Sequence, residues 1–159
     1  MSDIVFVCTG NTCRSPMAEV LAAAIFLREG INFRVASAGV SAMPGMPASE
    51  NAAKAMREEG LELSSHRSKP ASKEFLQGAK LVLTMTRGHL EYVRRSCPDV
   101  RAFTLGEYAS IGKDISDPFG GSLEVYRNCA ADIKALLVAC AKKIKKIDGN
   151  TTGGESENE

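Results

Sequence analysis

Eight consecutive residues, Cys8-Thr9-Gly10-Asn11-Thr12-Cys13-Arg14-Ser15, combine a nucleophile, a guanidinium six positions later and hydroxyls beside both. Successive backbone N–H groups from Thr9 to Arg14 can curl around one anion and form a nest. A helix that starts near Ser15 and Pro16 points its positive end into that nest. Pro16 suits a first helical turn, where its missing N–H costs nothing. Gly10 lets the backbone approach a ligand closely, and Asn11 tolerates the left-handed conformation that a tight curl needs. Arg14 adds a planar two-pronged donor matched to two phosphate oxygens. A thiol in this positive field ionises more readily than a free one. Ser15 can donate its hydroxyl proton to the thiolate, which can attack phosphorus and give a phosphocysteine. The chemistry needs neither metal nor nucleotide, and a nucleotide P-loop is excluded because no Gly-Lys-Ser/Thr follows the glycine.

Phosphoryl transfer also needs an acid for the leaving group. Ser116-Asp117-Pro118-Phe119-Gly120-Gly121 lies in a long late loop, where Pro118 stiffens the chain and the glycines let it fold over a pocket. By itself an Asp-Pro pair only starts a turn.

The elements that must bring these segments together follow from apolar patterning. Ile4-Val5-Phe6-Val7-Cys8 is a continuous β-rich run, expected of a buried parallel strand. Ala18, Leu21, Ala22 and Ile25 then recur at helical spacing until Gly30. Phe33 to Ala38 reads as a second strand, Ala48 to Glu59 as a helix ended by Gly60, Leu81-Val82-Leu83 as a third strand, and Gly88 to Ser96 as a short helix. Ala102 to Leu105 is a short fourth strand, and Gly106 to Gly121 a long loop. Leu123, Tyr126, Ala130, Ile133, Leu137, Cys140 and Ile144 trace one face of a last helix. Alternating strands and helices predict a single-domain α/β fold: a four-stranded parallel sheet with helices on both faces and a phosphate-binding loop after strand 1. Ligands of such sheets sit outside the carboxyl ends of the strands, where the Cys8 loop and the Gly106–Gly121 loop can meet. The expected boundaries are a domain over residues 1–147 and a disordered acidic tail over 148–159.

Composition narrows the function classes. The chain has 159 residues, 44% hydrophobic and 25% charged, which suits one soluble domain. No apolar run approaches the roughly 20 residues needed to cross a bilayer, and Ile4–Cys8 is too short for a signal-peptide core, so a cytoplasmic protein with no membrane partner is expected. Five cysteines, at 8, 13, 97, 129 and 140, do not read as a secreted disulfide framework. With only His66 and His89 in the chain, no cysteine–histidine spacing resembles a zinc site. Residues 148–159 hold four acids and no base, which leaves residues 1–147 with 20 basic and 15 acidic side chains. Lys142, Lys143, Lys145 and Lys146 lie in the last turns of a helix, where cations complement the dipole; without interleaved aromatics they do not argue for nucleic acid.

The spacing Cys8-x5-Arg14-Ser15, with flanks from Val5-Phe6-Val7 to Ser15-Pro16-Met17-Ala18-Glu19, resembles the low-molecular-weight protein tyrosine phosphatase family. The resemblance implies a phosphatase without cofactor or metal, acting on phosphorylated proteins. It implies Cys8 as nucleophile, the Thr9–Ser15 loop with Arg14 as phosphate cradle, and Asp117 as the general acid that then activates water. It further implies that Cys13 can close a disulfide with Cys8 and shield it from over-oxidation. His66, in Ser64-Ser65-His66, matches a histidine that supports the loop asparagine, here Asn11; Ser37, in Ser37-Ala38-Gly39, resembles a family serine near the loop. His89 has no assigned role. Family members that act on tyrosine usually carry a bulky Ile where this chain has Thr12, and an aromatic pair after the Asp-Pro. Thr12 with Asp117-Pro118-Phe119-Gly120-Gly121 instead looks like the bacterial protein arginine phosphatases of the same family. A smaller Thr12 suits a planar guanidinium, and Phe119 supplies an apolar wall. Phosphoarginine is therefore the favoured substrate and phosphotyrosine the second.

Two rivals share the loop. Thioredoxin-coupled arsenate reductases need two further cysteines on a short segment after the third strand, where this chain has only Cys97. A non-enzymatic phospho-residue reader or redox sensor would have no use for Asp117.

Overall fold

The apolar run Ile4–Cys8 forms the central strand β1, and each of its five residues is buried. In the computed structural model, which describes residues 2–152 and side chains as far as Ile147, β1 pairs in parallel on both sides. Its neighbours are β2 (Val35–Gly39) and β3 (Leu81–Thr84), and β3 in turn pairs with β4 (Ala102–Thr104), in the order β2-β1-β3-β4. The helices are α1 (Arg14–Glu29), α2 (Glu50–Glu58), α3 (Lys73–Leu76), α4 (Arg87–Ser96), α5 (Leu105–Tyr108) and α6 (Leu123–Thr152).

Alternation along β1 builds two cores. Ile4, Phe6 and Cys8 face the layer of Met17, Leu21 and Ile25 from α1 and Tyr126, Ile133 and Leu137 from α6. Val5 and Val7 face the opposite layer with Leu76, Leu90 and Val93 from α3 and α4. Successive side chains point to opposite sides of a strand, so a fully buried run needs helices on both faces, as expected. Phe6 is completely enclosed, and burying a side chain of that size is worth roughly 1.5–3 kcal/mol.

The order of the strands fixes where the site falls. From β1 the chain moves to β2 on one side, then crosses to β3 on the other, and the carboxyl end of β1 lies where those paths diverge. In open parallel sheets that divergence leaves a crevice for ligands. Cys8 is the last residue of β1.

Several details differ from the sequence expectations, among them the short helix α3, which the apolar pattern does not suggest, and β4, which ends at Thr104 rather than Leu105. The strand expected over Phe33 to Ala38 begins at Val35 and ends at Gly39. The loop expected over Gly106 to Gly121 opens with α5, which Thr104 and Glu107 hold by a reciprocal capping box. The last helix runs to Thr152, past the boundary expected at 147; extending an existing helix needs no new nucleus. The remainder of the expected tail, 153–159, lies outside the described residues.

Candidate active site

Between Cys8 and Arg14 the chain curls tightly, and Asn11 takes the left-handed conformation with φ 55°. The curl is locked from inside by the Asn11 side chain, which is fully buried. Its Nδ2 donates to Ser15 Oγ at 2.8 Å and to Ser37 Oγ at 2.9 Å, and its Oδ1 accepts from the Lys69 backbone N–H at 3.0 Å. His66 Nε2 donates to the Asn11 carbonyl at 2.7 Å. Burial lowers the pKa of His66, against the upward pull of that hydrogen bond. A neutral ring therefore donates from Nε2 and leaves Nδ1, 3.9 Å from Glu19 Oε2, without a proton.

Gly39, opposite Cys8 in β2, presses on the same loop. A Cβ there would stand 2.5 Å from the Thr9 carbonyl oxygen and 2.8 Å from the Asn11 nitrogen. The loop can close this tightly because no side chain intervenes.

The helix behind the loop keeps its positive end open. Ser49, Ser72, Thr86 and Thr104 cap α2, α3, α4 and α5 with side-chain oxygens. The N-cap of α1 is Cys13, which makes no side-chain cap, and the first turn holds no acidic residue. The unpaired N–H groups of that turn are thus left for an anion.

Cys8 Sγ lies 2.8 Å from Ser15 Oγ. The Asn11 amide donates to that oxygen, so the Ser15 proton points away from Asn11, within reach of the sulfur at 2.8 Å and of the Ala38 carbonyl at 3.4 Å. Arg14 is buried, with 4% exposure. Its Nη1 donates to the Ile115 carbonyl at 2.9 Å and its Nη2 to Thr9 Oγ1 at 3.4 Å. Ile115 is held by its own N–H to the Met85 carbonyl at 2.9 Å, so the end of β3 positions both the guanidinium and the loop that follows. Two residues on, Asp117 places Oδ2 3.7 Å from Arg14 Nη2 while Oδ1 accepts from the Phe119 N–H at 3.1 Å. A tight turn, Gly121 N–H to Pro118 carbonyl at 2.8 Å with Gly120 at φ 77°, holds Phe119 out at 79% exposure.

These segments enclose a cavity of about 260 Å³ lined by Cys8, Thr9, Gly10, Thr12, Cys13, Arg14, Asp117 and Phe119. Ser37 and His66 stand behind the loop. Cys13 is buried, and its Sγ contacts the Tyr126 hydroxyl at 3.2 Å and Ser49 Oγ at 3.4 Å. All five cysteines are free thiols, and Cys97 alone lies in the α3–α4 layer.

Sequence reading missed His89, which packs against the site from α4. Its Nε2 lies 2.8 Å from Thr9 Oγ1, and its Nδ1 accepts the Thr86 backbone N–H at 3.2 Å. Burial first, then the Arg14 charge, push its pKa down to about 4, opposed by Asp114 and Asp117. In the unfolded chain the ring takes up its proton near pH 6.5, so stability on this account is complete above that pH. It falls as the pH drops from 6.5 towards 4, because there the unfolded state binds the extra proton. The loss amounts to roughly 3 kcal/mol at most. Urea unfolding across this range should show the decline, and His89→Leu should flatten it; an unchanged slope would place the ring outside the titration.

A model of the family described as low molecular weight phosphotyrosine protein phosphatase matches residues 3–149. A protein-arginine-phosphatase of Bacillus subtilis (strain 168) is 44% identical over 147 residues, 91% of this chain and 97% of that protein. A low molecular weight protein-tyrosine-phosphatase, PtpB of Staphylococcus epidermidis, is 36% identical over 139 residues, 84% of this chain and 93% of its own. Among solved structures, a YwlE arginine phosphatase whose active-site cysteine is replaced by a phosphorylated serine superposes with a TM-score of 0.86. It is 42% identical, with 90% of this chain and 95% of that one covered.

Proposed function

Because the chain belongs to the low molecular weight phosphotyrosine protein phosphatase family, we propose that it hydrolyses phosphoarginine in proteins, with Cys8 as nucleophile, Arg14 as phosphoryl clamp and Asp117 as general acid. The carrying observation is the cavity in which all three line one wall system with Thr12 and Phe119. The Cys8 thiolate forms a sulfur–phosphorus bond as the phosphorus–nitrogen bond breaks, and Asp117 delivers a proton to the departing guanidine nitrogen. Water then attacks the phosphocysteine, gives its proton to Asp117, and releases phosphate and the thiolate. Throughout, the Arg14 fork, the nest and the open end of α1 offset charge on the phosphoryl oxygens.

Thr12 and Phe119 supply the preference for arginine. A β-branched Thr leaves more width over the nucleophile than Ile, and the half-open wall at Phe119 suits the flat face of a guanidinium. The similarity to a protein-arginine-phosphatase at 44% identity points the same way. The test is kcat/KM for matched phosphoarginine and phosphotyrosine peptides on reduced protein. The ratio should favour phosphoarginine, and Thr12→Ile should lower it at least about tenfold by narrowing the slot. A wild-type ratio well below one makes this a tyrosine phosphatase with an unusual loop.

A further inference from the structure

We propose that His89 and Thr9 form a positioning pair that aims the Thr9 hydroxyl proton and the Arg14 fork at the bound phosphoryl group. This rests on the phosphatase reading above and gives that site a further specific donor.

The argument is one of proton placement. Nδ1 of His89 accepts the Thr86 backbone N–H at 3.2 Å and lies 3.0 Å from Thr86 Oγ1, whose hydroxyl can donate to it as well, which places the proton of the neutral ring on Nε2. Nε2, 2.8 Å from Thr9 Oγ1, is then the donor of that bond. Arg14 Nη2 donates to the same oxygen at 3.4 Å. A hydroxyl oxygen has two lone pairs, and these two donors use both. The hydroxyl hydrogen can therefore go to neither partner and is left as a donor. Thr9 lines the cavity beside Cys8 and Arg14, where the group that needs a donor is an anion.

The pair also holds the guanidinium. Nη1 is fixed by the Ile115 carbonyl and Nη2 by Thr9, with Asp117 Oδ2 3.7 Å from Nη2, so two of five N–H groups are hydrogen-bonded and the others remain for Asp117 or a ligand. His89 keeps the Thr9 oxygen from rotating away, so Arg14 needs no reorganisation when phosphate arrives. The ring is suited to a fixed tautomer: it is 7% exposed, and burial together with Arg14 keeps it neutral down to about pH 4 despite Asp114 and Asp117. A protonated ring would set an Nδ1–H against the Thr86 N–H.

The competing view is that His89 serves only as the reciprocal capping residue of α4 with Thr86. That view predicts a loss of stability in His89 variants and no kinetic consequence at Thr9. Four variants separate the two: Thr9→Val, Thr9→Ser, His89→Leu and the Thr9→Val/His89→Leu double. Each is measured for melting temperature, for the Kd of inorganic phosphate by calorimetry, and for kcat and KM on 4-nitrophenyl phosphate.

Thr9→Val leaves the α4 cap untouched and should weaken phosphate binding and lower kcat/KM about tenfold each. More of the catalytic loss should fall in kcat than in KM, because charge on the phosphoryl oxygens is redistributed in the transition state. Thr9→Ser should restore most of it. The double variant should be no worse kinetically than Thr9→Val, since His89 acts through Thr9. Thr9→Val with wild-type phosphate affinity and kinetics overturns the pair, as do losses at Thr9 and His89 that multiply. A wild-type protein that neither binds phosphate nor hydrolyses the aryl ester sinks the phosphatase reading itself, a result distinct from either.

Discussion

Cys8→Ser is expected to cut kcat on a phosphoprotein or an aryl phosphate at least about ten-thousandfold while leaving phosphate binding within a few-fold of wild type. The thiol is the polarisable nucleophile, and the nest, the open end of α1 and the Ser15 hydroxyl at 2.8 Å surround its sulfur. A serine hydroxyl in the same place stays protonated at neutral pH, and among the described residues its one side-chain hydrogen-bond partner would be Ser15, a hydroxyl that is no base. Binding should survive because the donors that face an anion belong to the backbone of the loop and to Arg14, which reaches Ile115 and Thr9 without touching the nucleophile. The measurement is single-turnover kinetics alongside phosphate titration. Residual turnover above about one part in a hundred would move the nucleophile elsewhere in the cavity.

The Cys8 loop was legible because its chemistry is contiguous. A strand that ends on a cysteine, a curl that needs Gly10 and Asn11, and a helix that starts at Ser15-Pro16 are all local properties of one segment. The sheet was legible for the same reason: Ile4–Cys8 can be buried on both faces only if helices cover both. What escaped depends on distance along the chain or on very short elements. The bond from His89 to Thr9 joins residues 80 apart, and no periodicity records it. The Ile115 carbonyl that anchors Arg14 is a backbone atom, the same in any residue. Gly39 reads as a turn signal, whereas its close approach to Thr9 and Asn11 arises from β2 packing beside β1. The four-residue helices α3 and α5 complete little more than one turn, too few for a 3.6-residue pattern, although Thr104 and Glu107 carried a capping-box spacing. His66 and Ser37 came from a family resemblance; the contact that explains each is with Asn11, through its carbonyl and its amide.

Asp117→Asn should lower kcat on a phosphoarginine peptide roughly 100- to 1,000-fold, with a much smaller loss on 4-nitrophenyl phosphate. The contrast comes from the leaving groups. A guanidine nitrogen cannot depart well without a proton, whereas nitrophenolate leaves as a stable anion. Asparagine keeps the shape and can still accept the Phe119 N–H through Oδ1, so the turn that presents the residue should hold. It has no acidic proton to give, nor a carboxylate to draw one from water. With Asp117 half exposed and 3.7 Å from Arg14 Nη2, removing its charge takes a negative group away from the incoming phosphate, so KM should stay level or fall. Equal losses on the two substrates would mean that Asp117 serves by orienting Arg14 through that ion pair. Phosphotyrosine peptide, whose phenol is far less acidic than nitrophenol, should suffer a loss between the two, and the order of the three deficits then reads the proton transfer directly.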